Sequence, residues 1–341
     1  MVSVSGPFFF FSSIVLAIST GLASYCLIAG LIGWLNRHVV AVPNDRSSHS
    51  HPRPQGGGIA VAAVAIVGSG MVLAVSGTWL QSIPYSGSIA VAAGFLALVG
   101  LADDAYGLPI APRLAFQALS VTAAVVLLPT GLHVLDPLIP IPVERALLIG
   151  AGLWFINLFN FMDGIDWLAA TETVAITIGI VILVGLGLVP TEIGFIAVAL
   201  LGAMLGFMPW NAPPARLFLG NAGSLPIGFI LGVLLLHIAA AGALAAALIL
   251  PLYYVADATI TLLRRAWNRE GLLQAHRSHF YQRATKNGLN VKQTLVRIAA
   301  ANAGLIILAI FSTLPGIHTA ALAIAGAVLL VARTLFVLAK T

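Results

Sequence analysis

Charge is what this sequence has least of. Lys, Arg, Asp and Glu make up 8% of 341 residues, about a third of the share in an ordinary soluble domain, and there is one cysteine, Cys26. The first shortage excludes a water-soluble globule, and the second a disulfide scaffold. Short alternating polar and apolar segments, the mark of a membrane β-barrel, are missing as well. What is present is 60% hydrophobic residues, a mean hydropathy of +1.04 and long unbroken apolar runs. The class that remains is an all-α polytopic transmembrane helical bundle, expected to form one integral-membrane domain over 1–341. The net charge of +5 does not point to nucleic acid, because the basic residues cluster between apolar spans.

A span needs about 20 apolar residues, and on that rule the sequence predicts about eleven. They fall near 10–34, 57–77, 87–102, 113–129, 145–160, 165–186, 191–208, 224–240, 241–263, 293–313 and 318–339. Only a small-residue run, Ala239–Ala245, separates the eighth from the ninth. The segment Met1–Trp34 has no Lys or Arg before Arg37, unlike a signal peptide, and is expected to be a retained helix with its N-terminus outside. The cytoplasmic loops are then about 35–57, 103–113, 160–166, 209–224 and 264–292, and the C-terminus is cytoplasmic. Of sixteen basic residues only Arg145 falls outside, as the positive-inside rule asks.

The eleven acids are more telling. Asp136, Glu144 and Glu192 are expected on solvated outer surface, and Glu172 in or near a span without an assignable role. Asp45, Asp103, Asp104, Asp163, Asp166 and Glu270 lie at inner ends of spans, and Asp257 within one. An ionisable group near the bilayer is expensive and persists where it pairs or works. Simple pairing with an arginine accounts for one such acid; it accounts poorly for several on one membrane face.

Five stretches gather on that face. Asp103 and Asp104 are adjacent carboxylates, which repel unless a cation or basic group is near. In NLFNFMDGID (157–166), three-residue helical steps put Asn157, Asn160 and Asp163 on one broad face. Gly164 offers a break that returns Asp166 to the same cavity. Amides with carboxylates suit a nucleobase or sugar, the alternative being interhelical amide glue. LFLGNAGS (217–224) opens a span with small residues and free N–H groups, a weak anion-site signal. AHRSHFYQR (275–283) interleaves His276 and His279 with Arg277 and Arg283, donors for phosphate oxygens where topology alone needs no histidine. In PNDRSSHSHPRPQGGG (43–58), Gly57 and Gly58 allow either a ligand or a neighbouring helix to approach the backbone. A zinc site from His49, His51, His276 and His279 is an alternative, but the carboxylates and amides favour a hard cation such as Mg²⁺.

In this order the motifs resemble the polyprenyl-phosphate N-acetylhexosamine-1-phosphate transferases, glycosyltransferase family 4. That superfamily includes the muramoyl-pentapeptide phosphotransferase and the GlcNAc-1-phosphate transferases of lipid-linked glycan synthesis. Singly the pieces are of moderate specificity, but together in sequence order they are highly specific, and they cover the whole chain. The RSSH (46–49) and AHRSHFYQR forms look most like the branch that initiates O-antigen or other surface polysaccharides. The resemblance implies transfer of a sugar-1-phosphate, an N-acetylhexosamine or a derivative, from a UDP-sugar to undecaprenyl phosphate, with release of UMP. It also implies a bacterial inner (cytoplasmic) membrane location and Mg²⁺ or Mn²⁺ as cofactor, with a homodimer as an open expectation.

Carried over position by position, the resemblance makes Asp103, Asp104 and Asp163 catalytic, with Asp103 open as base or nucleophile. Asn157, Asn160, Asp166, Gly57, Gly58, His276, Arg277 and His279 become substrate-binding, and Asp103, Asp104, Asn157 and Asn221 metal-binding. Two positions depart from the family pattern. Asn221 stands where the family carries a metal-ligating Asp, and Gln55 where a basic residue is expected. An amide lacks the charge of a carboxylate, so weaker metal affinity is expected, and a weakened or silent member is one alternative reading. A lipid-linked-sugar transporter is another, resting on Asp257 inside a span with Arg264 as its partner.

Overall fold

The computed structural model describes residues 6–42, 51–75, 79–128, 132–135, 139–271, 276–316 and 318–340. Asp45, Arg46, His49, Asp136 and Ala275 therefore lie outside the described residues, as does the whole of the 43–50 stretch. A long first helix, α1 (Gly6–His38), leads into a two-residue antiparallel pair, β1 (Val40–Ala41) and β2 (Arg53–Pro54). Helices α2 (Gly58–Val75), α3 (Trp79–Tyr106), α4 (Ile110–Val126), α5 (Ile141–Met162), α6 (Leu168–Gly185), α7 (Thr191–Phe207) and α8 (Asn221–Ala240) follow. The chain ends with α9 (Leu244–Ile249), α10 (Leu252–Trp267), α11 (Phe280–Lys286), α12 (Val291–Phe311) and α13 (Thr319–Lys340).

Seven of these helices are long and apolar enough to cross a membrane: α1, α3, α5, α6, α8, α12 and α13. Three shorter apolar ones, α2, α4 and α7, complete ten of the expected spans. This is a polytopic helical membrane protein. The ninth span departs from expectation, because 241–263 is not one helix. Pro251 has no N–H for the ladder and crowds the preceding turn, so α9 stops and α10 restarts beyond it. Helix α10 also carries Asp257, Arg264 and Arg265 and has a pronounced polar face.

Helix α8 is the axis. Apolar on every side, as a helix surrounded by others must be, it packs against α3, α5 and α2. Lipid cannot drive helices together by the hydrophobic effect, so close approach through small residues does. On α7, Gly202 and Gly206, four apart, meet the backbone of α1 at Ala17 and Gly21, where a Cβ would overlap carbonyl oxygens. Gly100 of α3 lies directly on the Asn221 carbonyl, and Gly58 of α2 on Gly223.

One acid was misplaced by sequence, and another, expected in or near a span, gains a partner there. Glu144, expected on solvated surface, is fully buried in the first turn of α5. Its Oε1 accepts the Val134 N–H at 2.9 Å, and its Oε2 lies 3.2 Å from His133 Nδ1. Glu172 is fully buried on α6, where its Oε2 accepts the Asn302 amide of α12 at 2.7 Å.

Candidate active site

The ends of the helices alternate as the charge pattern required. The C-terminal ends of α3, α5, α7 and α10 meet the N-terminal ends of α2, α4, α6, α8 and α11 at one end of the bundle. Each junction is a named contact. Asp103 of α3 reaches Arg113 of α4, and Asp104 reaches the start of α8. The indole of Trp167, before α6, donates to the Met208 carbonyl after α7. Tyr281 of α11 donates to the Phe161 carbonyl of α5.

Asp103 is nearly buried, and its oxygens are fully engaged. Oδ1 accepts the Leu108 N–H at 2.7 Å, and Oδ2 takes Arg113 at 2.8 Å and the Asn221 amide at 2.9 Å. Arg113 thus supplies the basic neighbour the acid pair needs. Asp104 does different work: its two oxygens accept the N–H groups of Asn221 and Ala222, at 2.9 and 3.0 Å. It caps α8 from another helix, satisfying donors that have no partner of their own. Gly220, at φ +73°, makes the turn into α8, where a Cβ would strike the Asp104 carboxylate.

Asn221 bridges the cluster. Its Nδ2 faces Asp103, and its Oδ1 accepts from Asn160, which also donates to Ser224 at 2.7 Å. The reverse orientation would set two oxygens against each other, so the chemistry fixes the amide. Asn157 sits one turn earlier and is engaged elsewhere, donating to Gln117 of α4 at 2.7 Å and to the Leu153 carbonyl. The structure therefore brings Asp103, Asp104, Asn160 and Asn221 together and places Asn157 beside α4.

Helix α5 ends at Met162, and the chain turns at Asp163 and Gly164. The Asp163 carboxylate has no hydrogen-bond or ion-pair partner among the described residues. Burial, and then the neighbouring carboxylates of Asp104 and Asp166, push it up to about 7. Asp166 accepts the Ala215 N–H at 2.9 Å and so holds the 209–216 segment. Trp167 follows in the left-handed region at φ 66°, its N–H bonded to Asn211.

The glycines of the early loop serve packing. The Gly57 and Gly58 N–H groups donate to the Phe218 and Leu219 carbonyls at 3.0 and 2.9 Å, and both residues are buried. Gln55 reaches the Asp104 carbonyl at 3.0 Å.

The late loop is more ordered than a loop. His279, 1% exposed, precedes α11 and lies between the His276 ring (4.9 Å) and the stacked Tyr281 ring (5.7 Å). His276 is half-buried; that burial, His279 and the nearby Arg265 lower it to about 4. Arg277 is exposed. Arg264, read above as a partner of Asp257, instead donates to the Ser278 carbonyl at 2.9 Å and lies over the Phe280 ring. The side chains that sequence reasoning missed are Arg113, Gln117, Asn211 and the anchoring role of Asp257. Only Asp257, an acid on a polar helix face, gave a usable signal.

Further into the bundle, an apolar cavity of about 490 Å³ opens among α4, α5, α8, α9, α10 and α13, with Val125, Trp154, Phe155, Leu236, Leu252 and Val328 among its walls. Helix α5 joins it to the polar cluster, since Phe155 and Asp163 are about two turns apart.

Fold and site define a multi-pass membrane protein with a carboxylate–amide cluster at one end of its bundle. Residues 86–239 match the model of glycosyl transferase family 4. That stretch, a little under half of the chain, is what resembles the family. The chain is 32% identical over 220 residues to the decaprenyl-phosphate N-acetylglucosaminephosphotransferase of Mycolicibacterium smegmatis, covering 57% of this chain and 52% of that protein. It is 26% identical over 301 residues to a Bacillus subtilis protein named "Probable undecaprenyl-phosphate N-acetylglucosaminyl 1-phosphate transferase", covering 84% and 81%. A shorter match, 41% over 80 residues and 24% of each chain, is to the phospho-N-acetylmuramoyl-pentapeptide-transferase of Clostridium beijerinckii. The chain thus spans about half the length of the mycobacterial relative.

Proposed function

We propose that this protein transfers an N-acetylhexosamine-1-phosphate from a UDP-sugar to a polyprenyl phosphate at the inner membrane of a bacterium. The observation that carries this reading is the convergence of Asp103, Asp104, Asn160, Asp163 and Asn221 at one end of the bundle, next to an apolar cavity. Relatives named for the same transfer support it. One substrate is a lipid and the other cytosolic, so the chemistry needs such a boundary. The lipid tail occupies the apolar cavity, and its phosphate meets the polar cluster.

In the reaction, an oxygen of the lipid phosphate attacks the β-phosphorus of the UDP-sugar. The bond from that phosphorus to the α–β bridging oxygen breaks, and UMP leaves with the bridging oxygen. Asp163, which has no hydrogen-bond or ion-pair partner among the described residues, is pushed up to about 7 and in that cation-free state is suited to take a proton from the lipid phosphate, a role it gives up where it ligates a cation. Asp103 is fixed by Arg113 and Asn221, so it orients the cluster and is not the base. Asn160 and Ser224 offer polar groups to the sugar or nucleotide, and His276 and Arg277 lie on the exposed side of the late loop.

The residues fit a hard divalent cation. Asp163 is unpartnered and crowded by two carboxylates, although no three His, Cys, Asp or Glu side chains among the described residues form a ready cage. Mg²⁺ commonly takes one or two carboxylates together with substrate phosphates, and Asp163 with Asp166 would hold it. When bound, it neutralises the crowded phosphate oxygens.

Purified protein with Mg²⁺, undecaprenyl phosphate and radiolabelled UDP-N-acetylhexosamines should release UMP and form labelled lipid. Asp163→Ala should cut turnover at least about 100-fold. Absence of turnover with every such donor, and none after Asn221→Asp, selects the silent reading.

A further inference from the structure

Asp257 has no task in the transfer chemistry, yet five groups surround its carboxylate. Its side chain on α10 is wholly shielded from solvent. Oδ1 lies 3.2 Å from His279 Nδ1, accepts the Phe280 N–H at 3.0 Å and faces the Thr261 hydroxyl at 3.3 Å. Oδ2 accepts the Tyr253 hydroxyl at 3.2 Å and the Tyr281 N–H at 3.3 Å. Two of the five groups are backbone donors, and two are hydroxyls that can turn to donate. An ionised carboxylate only accepts, so the fifth, His279 Nδ1, must present its hydrogen as well. Whichever hydrogen bond one ring nitrogen makes decides the state of the other.

The consequences run outward along α11. Fixing the N–H groups of Phe280 and Tyr281 places the first turn of that helix. Tyr281 then stacks on His279 and reaches the Phe161 carbonyl, two residues before Asp163. Gly164 is glycine because a Cβ there would strike the Tyr281 hydroxyl. On the other side, His279 backs the His276 ring. One buried anion thereby sets the late loop against the turn that carries Asp163 and Asp166.

We propose that Asp257 is a positioning residue, which holds His279 in its Nδ1–H form and, through it and Tyr281, sets the geometry of the phosphate-handling loop. The kinetic part rests on the transferase reading; the tautomer does not.

The test uses full-length protein labelled with ¹⁵N in its histidine rings, with the His279 signal identified by difference against His279→Gln. The expected wild-type spectrum shows a hydrogen on Nδ1 of His279, and Asp257→Asn removes that signature. In turnover, Asp257→Asn should lower kcat/KM for the UDP-sugar by about 10- to 100-fold. It should cost clearly less in a His279→Ala background, since residues acting through one another are not additive. A wild-type His279 bearing no hydrogen on Nδ1, or losses that add in full, would overturn the proposal. If Asp257→Asn does not fold, the wild-type spectrum still decides. A wild-type Nδ1–H spectrum in a protein that turns over no UDP-sugar supports the positioning and sinks the transferase reading instead.

Discussion

Asp163 contributes to the pH dependence of the cluster. Its ordinary value is 3.8, and burial with two carboxylate neighbours raises it to about 7 in the folded protein. Between those values the folded state holds a proton that the unfolded state has released. Stability contributed by this group is therefore present at low pH and lost as pH rises through that window. In chelator-treated detergent solution, thermal unfolding of Asp163→Asn should depend less on pH between about 4 and 7 than that of the wild type. Added Mg²⁺ at pH 7.5 should raise the wild-type midpoint more than that of the variant. An unchanged pH dependence would show that the carboxylate is not under this strain.

Helix ends, and the small residues that let them meet, set the frame for those side chains. Gly100 of α3 lies against the Asn221 carbonyl, whereas Gly94, earlier on the same helix, has open space around it. Gly100→Ala should cost about 1–3 kcal/mol, because backbone cannot step aside as a flexible side chain can. Gly94→Ala should be neutral or stabilise by up to about 1 kcal/mol through the unfolded chain. Midpoints of chemical unfolding followed by tryptophan fluorescence compare the two. Apolar length made most helices legible in sequence, since a bilayer leaves little freedom over where they run. The break in the ninth span was not legible: its apolar content hid the effect of Pro251, and only the polar face of α10 hinted at it. Glu144 and Asp257 were harder still. The partners of Glu144 lie about ten residues away, and those of Asp257 include groups more than twenty residues away across an intervening segment.

At the scale of the whole molecule, the sequence placed the chemistry on a single side of the membrane, and the structure gathers Asp103, Asp163 and the 276–283 segment at one end. Charge sidedness can be read from sequence because it is a property of the entire chain and needs no knowledge of contacts. Which side chains touch was not accessible in the same way; Asn157 and the two early glycines turned to α4 and to backbone partners that no local pattern reveals. Sidedness can be measured directly. In a Cys26→Ser background, Gly107→Cys and Arg277→Cys should react with an impermeant maleimide from one face, and His133→Cys from the other. Helix α5, 22 residues or about 33 Å long, separates the two groups. Labelling of all three from one face would refute the arrangement.

The bare contacts of α2 and α3 with the head of α8 carry a mechanical consequence. Where backbone lies on backbone there is no layer of side chains to compress or repack, so that wall of the pocket behaves as a fixed anvil. From α10 to α11, by contrast, each hydrogen bond among the described residues has a side chain at one end. Adjustment of the cluster is therefore expected from that side.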